Sequence, residues 1–293
     1  MKIGLQIPDY TWGNSQALSP TLLRIARVAE EAGFELIGVP DHLWQVSPWV
    51  GPVEHEMLEC YTTLAFLAGN TSRINLMAMV TGAHFRHPSL LAKIVTTLDV
   101  LSGGRAWLGI GAGYYQEEAR GLGIDLPPVA ERFERLEEVV QICLRMWAGD
   151  HGDDQPFEGR HFRLERVLNS PQALSRPHPP IVIGGEGERK TLRLVARYAD
   201  ACALFPTPEL PHKLDVLRAH CQAEGRDYDD VRKTCGWNFD LGEDGSNIAG
   251  TIEQLRRLAG MGIEVVLGPV KGVEEIEPLQ AMGRDVIPAV ADI

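Results

Sequence analysis

Hydrophobic positions along the chain fall into two alternating kinds of segment. Short, nearly continuous apolar runs read as strands. They cover Lys2–Ile7, Leu36–Val39, Ile74–Val80, Ala106–Ile110, Ile181–Gly184, Ala201–Phe205, Lys233–Leu241 and Val265–Gly268. Between them lie helical segments at Pro20–Ala32, Glu59–Ala68, Pro88–Ser102, Arg132–Trp147, Glu188–Tyr198, Glu209–Glu224 and Thr251–Ala259. A weaker eighth helix follows Gly272, broken by Pro278 and Pro288. Ser19 is a candidate N-cap for the first helix, and Gly33 its stop. The rhythm breaks once, at Asp150–Pro180, where prolines and charges form an insertion between the fourth helix and the fifth strand. Within it, Phe157–Phe162 reads as a small hairpin. Eight strands alternating with helices predict an α/β fold, a (β/α)8 or TIM barrel, as one domain over residues 1–293. The runner-up is a doubly wound sheet. It lacks support because Gly109-Ile110-Gly111-Ala112-Gly113 has the wrong spacing for the dinucleotide fingerprint.

The stretch Phe85–Gly113 is the most specific part of the pattern. Pro88 opens its helix, since the missing N–H is one that a first turn leaves unpaired anyway. Leu91, Ile94, Val95, Leu98 and Leu101 then make an apolar face. Ser102-Gly103-Gly104 ends the helix, with glycine suited to the left-handed cap. The strand that follows ends in alternating glycines, Gly109, Gly111 and Gly113, which bare the backbone to close approach.

Composition narrows the function classes. The chain is 44% hydrophobic without a long uninterrupted apolar run, so it can bury a core but is not expected to span a membrane. MKIGLQIP lacks a signal-peptide pattern. The five cysteines are widely spaced and free of C-x-x-C pairs, which points to a reducing cytoplasm rather than a disulfide framework or zinc knuckle. A net charge of −12 disfavours nucleic acid as a partner.

In a barrel the chemistry sits where the strands end. That rule selects Asp41 and His42 after strand 2, Met79, Val80, Thr81 and Gly82 after strand 3, and Gly111–Tyr114 after strand 4. It also selects Gly184, Gly185, Glu186 and Gly187 after strand 5, with Phe205 as a pocket wall after strand 6. Histidine suits proton transfer near neutral pH. The Gly184–Lys190 junction has glycines and free N–H groups ahead of a helix, which suits an anion. A plain β-α turn reads the same way. Trp12, Trp44 and Trp49 either wall a hydrophobic pocket or cover the barrel mouth. His84-x-x-His87 with His42 is a conceivable metal set for a barrel hydrolase, but H-E-x-x-H and an H-x-H on strand 1 are both missing.

Several motifs together resemble the luciferase-like flavin and deazaflavin oxidoreductases, in particular the branch of coenzyme F420-dependent enzymes. They are Pro40-Asp41-His42, LLAKIVTTLDVLSGGR, LGIGAGYYQEE and IVIGGEGERKTLRLVARYAD. The resemblance implies a barrel oxidoreductase that transfers a hydride between F420 and a small organic substrate. FMN, in a monooxygenase, is the alternative cofactor. It implies His42 as the catalytic residue beside the cofactor ring. It also implies a cofactor site made of Asp41, His42, Met79, Val80, Thr81, Gly111, Gly113, Gly184, Gly185, Glu186 and Gly187, without a metal. A non-prolyl cis peptide at Met79-Val80 and a cytoplasmic homodimer are further expectations of the family. Two departures stand out. Tyr114 follows the strand-4 glycines where sugar-phosphate-oxidising members carry a glutamate, and Trp44 comes closer to His42 than their tryptophan does.

Overall fold

The structure is a computed structural model describing residues 1–293. Eight parallel strands close into a ring: β1 (Lys2–Gln6), β2 (Leu36–Val39), β3 (Asn75–Ala78), β4 (Ala106–Gly111), β5 (Ile181–Gly184), β6 (Ala201–Leu204), β7 (Arg232–Gly236) and β8 (Val265–Gly268). Each pairs with its sequence neighbour, and β8 pairs with β1, Ile3 opposite Val266, which completes the barrel. The outer layer holds helices α1 (Ser15–Ala32), α2 (Cys60–Ala68), α3 (Pro88–Ser102), α4 (Gln116–Leu122), α5 (Val129–Met146), α6 (Thr191–Tyr198), α7 (Leu210–Glu224), α8 (Ile248–Gly260), α9 (Glu277–Ala281) and α10 (Ile287–Val290).

Side chains alternate across each strand, so the barrel feeds two cores. One lies between strands and helices and includes Ile3, Ile37, Leu76 and Ile183. The other fills the barrel interior with Leu36, Met77, Trp107, Val182, Ala201, Ala203 and Leu267, and Met79 packs on it. No helix is long and apolar enough to cross a membrane. The five cysteines are buried and unpaired.

Several boundaries differ from the pattern-based expectation, among them the start of α6, at Thr191 rather than Glu188. The Asn14 side chain accepts from the amides of Gln16 and Ala17, so α1 starts ahead of Pro20 and carries that proline inside it, and Ser19 is not its cap. Regular β7 ends at Gly236, after which the chain follows β8 more loosely through Trp237 N–H to the Leu267 carbonyl and a Phe239–Val270 bridge. The tail helix is two short pieces, α9 and α10, each with its proline in the first turn, joined by a π turn. Helix α4 has no counterpart in the pattern. The insertion forms two small antiparallel ribbons, Gly152–Asp153 with Val167–Leu168 and Phe157–Glu158 with Arg163–Leu164.

Much of LDVLSGGR holds the fold together. Buried Asp99 accepts from the amides of Leu174 and Ser175 at 2.6 and 2.9 Å, fastening the end of the insertion to α3. Arg105 spreads its guanidinium over the carbonyls of Ala68, at the end of α2, and of Thr71 and Ile74 beyond it, so a buried cation meets several acceptors.

Candidate active site

A cavity of about 570 Å³ opens over the C-terminal ends of the strands. Met79, Ala203 and Leu267 belong to both the barrel interior and the cavity wall, so the cavity floor is the top of that core. All of the sequence-selected residues, Asp41, His42, Met79, Val80, Thr81, Gly111, Gly113, Gly184, Gly185, Glu186 and Gly187, line this one space.

His42 is fixed by a residue that the strand-end rule did not select. Its Nδ1 lies 3.1 Å from Oε2 of Glu118, on α4. The other carboxylate oxygen accepts from the amides of Leu43 and Trp44, at 2.5 and 2.9 Å. Burial alone would push the Glu118 carboxyl up, but the hydrogen bonds from His42, Trp44 and Leu43 outweigh it and hold it below its ordinary value. An ionised carboxylate only accepts, so Nδ1 carries the proton. In the neutral ring, Nε2 therefore keeps its lone pair, 3.4 Å from the Tyr114 hydroxyl. Tyr114 and Tyr115 both meet the imidazole edge-on, at 5.6 and 5.8 Å.

Asp41 is already paired. Arg86 forks onto it at 2.5 and 3.0 Å, also reaches Glu59 at 2.7 Å, and lies over the Tyr61 ring. A bidentate guanidinium pair of this kind holds a buried carboxylate in one orientation. Thr81 is tied down likewise, its hydroxyl 2.7 Å from that of Tyr61.

Between Ala78 and Thr81 the chain leaves the ladder of β3 through a cis peptide at Met79-Val80, then rejoins β4 opposite Ile110 and Gly111. The strand-4 glycines make room for this detour. A Cβ on Gly109 would run into the Ala78 carbonyl oxygen, and one on Gly111 would stand 3.1 Å from Val80. A Cβ on Gly113 would stand 2.5 Å from the His84 ring. Gly184, on β5, faces Val80 from the other side at 2.8 Å. Gly111 and Gly113 thus line the cavity with protein side chains as their close neighbours, and Gly113 also has a φ of +77° that suits glycine.

Beyond β5 the chain turns at Gly185, whose φ of +105° suits glycine and strains other residues. From Gly185 to Thr191 no backbone N–H donates to an acceptor in the protein, and α6 begins with no side-chain cap. A row of free amides at a helix start, with the Thr191 hydroxyl beside Gly187, is a ready anion cradle.

The family model for luciferase-like monooxygenases matches residues 1–256. The chain belongs to that family. Among relatives, an F420-dependent glucose-6-phosphate dehydrogenase of Microbacterium testaceum (strain StLB037) is 32% identical over 74% of this chain and 63% of its own length. An F420-dependent hydroxymycolic acid dehydrogenase of Mycobacterium tuberculosis (strain ATCC 25618 / H37Rv) is 30% identical over 73% and 57%. The chain thus spans about three fifths of the length of the curated relatives it matches. The crystal structure of monooxygenase RslO1 from Streptomyces bottropensis shares the fold, with a TM-score of 0.78 and 20% identity over 98% of this chain and 99% of that one.

Within this luciferase-like barrel, several sequence alternatives separate. Of the tryptophans, Trp44 packs on Gly121 of α4, Trp12 stacks edge-on with Tyr10, and Trp49 stands exposed beside Tyr114. None lines the cavity, whose aromatic wall is Phe85, Tyr114, Tyr115, Phe133 and Phe205. The histidines of the hydrolase alternative do not converge. His42 is held by Glu118, His84 lies on Phe85 at 4.2 Å, and His87 caps α3. No group of three or more His, Cys, Asp or Glu side chains is placed to hold a metal ion.

His84 gives a pH test of this packing. Burial pushes its pKa down to about 4, against Glu118, which favours the charged ring. The unfolded chain takes up that proton near pH 6.5, so it binds more protons than the folded chain between the two values. Stability from His84 is therefore complete above about pH 6.5 and is lost as pH falls toward 4. The urea midpoint is expected to drop across that window, and His84→Gln to remove part of the drop. Identical slopes for the two proteins would show that His84 is not held neutral.

Proposed function

We propose that this luciferase-like barrel is a coenzyme F420-dependent oxidoreductase acting on a small organic substrate. The observation that carries the reading is the meeting, in one cavity, of the Val80 bulge, the free-amide turn after β5 and the His42 Nε2. The curated relatives named as F420-dependent dehydrogenases support the choice of cofactor.

The chain's own residues fit such a group. Val80, braced by Gly111 and Gly184, offers a convex surface to a flat ring, with Met79 and Thr81 beside it. The amides of Gly185, Glu186 and Gly187 and the Thr191 hydroxyl would hold a phosphate. When bound, the deazaflavin supplies a hydride acceptor or donor. Everything else falls to the protein. His42 Nε2 takes the proton from a substrate hydroxyl, or returns it to the developing oxygen anion in the reverse direction. Glu118 keeps that nitrogen facing the cavity and stabilises the imidazolium formed when it takes a proton. Asp41, saturated by Arg86, shapes the site and is no base.

The alternative is an FMN-dependent monooxygenase on the same scaffold. Titration of the purified protein with F420 and with FMN, each followed by fluorescence, decides between them. F420 is expected to bind more tightly by at least about tenfold, a difference of about 1.4 kcal/mol. Tighter binding of FMN, or no binding of F420, would overturn the proposal.

A further inference from the structure

Strand β1 ends on Gln6, and the barrel turns that side chain inward. Ile3 and Leu5 belong to the core between strands and helices, so Gly4 and Gln6 face the barrel axis. Gly4 lies opposite Leu267 of β8, and a Cβ on it would stand 2.8 Å from the Leu267 Cβ. One step further up the strand, the half-buried Gln6 reaches the cavity. It is a polar group beside an apolar floor of Met79, Ala203 and Leu267. Its amide, a donor and an acceptor at once, has no hydrogen-bond partner in the protein. Gln45, on the loop after β2, is the contrast, with its amide spent on the Pro8 carbonyl and the Val46 N–H. Gln6 also stands on the proton carrier's side of the ring. It is level with Gly38 of the neighbouring β2, and His42 follows Gly38 by four residues. Strand β5, with the turn proposed for the cofactor phosphate, lies diametrically across the barrel from β1.

We propose that Gln6 is a specificity-determining residue whose amide hydrogen-bonds a second neutral polar group of the substrate. The substrate class is then a compound that carries a hydroxyl, carbonyl or amide besides the oxygen that meets His42 Nε2. The inference rests on the hydride-transfer reading above and deepens it. Before a substrate enters, water satisfies the Gln6 amide. An entering molecule expels that water, and a hydrocarbon flank in its place leaves the amide unpaired, which costs affinity. A molecule whose second polar group takes the water's place keeps those bonds. A site built in this way rejects the analogue that lacks the group, whereas a wholly apolar floor would favour that analogue.

Ligand-observed NMR competition tests this with cyclohexanol and the positional isomers of cyclohexanediol, on both the F420-loaded and the cofactor-free protein. At least one diol is expected to bind at least about fivefold more tightly than cyclohexanol, the scale of one well-placed neutral hydrogen bond. In Gln6→Met, which keeps the length of the side chain and removes the amide, that preference should vanish or reverse while F420 affinity stays within several-fold of the parent protein. Gln6→Leu, a second apolar replacement, should repeat the result. No diol binding more tightly than cyclohexanol, an unchanged preference in both variants, or no detectable binding of any probe would overturn the proposal. Weakened F420 binding in Gln6→Met with the diol preference intact would overturn it too, by making Gln6 a cofactor contact. Failure of F420 to bind the parent protein would sink the cofactor reading alone, because the diol preference and its loss in the variants are also read without cofactor.

Discussion

His42→Ala should lower turnover by about 100- to 10,000-fold, the usual worth of a positioned general acid–base, while leaving F420 affinity within several-fold of the parent protein. A hydride carries no proton, so carbonyl reduction or alcohol oxidation needs a proton carrier within hydrogen-bond reach of the oxygen. His42 is equipped for this because Glu118 fixes its tautomer and Nε2 opens on the cavity. Glu118→Gln sharpens the test. Its amide can still accept from Leu43 and Trp44 and can donate to Nδ1, which keeps the ring in place but moves the proton to Nε2. Turnover should then fall in a similar range although the imidazole is still present, as expected when a histidine holds the wrong tautomer. Stopped-flow hydride transfer reads the rate, and fluorescence titration reads affinity. Intact turnover in His42→Ala would assign the proton to water or Tyr114, and collapsed affinity would make His42 a cofactor ligand instead.

The barrel and most of the cavity wall were legible because both leave local marks. Continuous apolar runs mark the strands, and glycines mark places where backbone must approach something closely. Gly109, Gly111 and Gly184 belong to that second class, yet the sequence could not say that the close neighbours are Ala78 and Val80. Glu118 left no comparable mark. It lies 76 residues from His42, on a short, charged helix whose start at Tyr115 has no side-chain cap. The one available signal was its place a turn beyond the strand-4 glycines, in GAGYYQEE. Trp44 and Trp49 show the converse limit. A tryptophan in a mouth loop is equally apolar whether it faces the cavity or packs away from it. Only the tertiary contact with Gly121 shows which way Trp44 turns. Arg86 is similar, because nothing local says that a cation ahead of α3 will neutralise Asp41, 45 residues earlier.

The second large effect is expected at the turn after β5, where Gly185→Asp should weaken cofactor binding by on the order of a few kcal/mol, the scale of lost charge-assisted hydrogen bonds. Two causes would act at once in that variant, and they can be separated. Gly185 has a φ of +105°, so any side chain there strains the backbone, and the strain is common to alanine and aspartate. Space is not the difficulty, since a Cβ would meet Thr191 Cγ2 at an ordinary 3.6 Å. Gly185→Ala therefore carries the strain without the charge and should cost only a minor share of the affinity. On the proposed reading, the remainder in Gly185→Asp would measure repulsion between a new carboxylate and a cofactor phosphate on the free amides of residues 185–191. Both variants should keep their far-UV dichroism, because the turn lies outside the two cores. F420 fluorescence titration at two salt concentrations completes the comparison. The aspartate variant's extra loss should shrink as salt screens it. If aspartate and alanine weaken binding equally, no phosphate sits on this turn and the anion cradle must be assigned elsewhere.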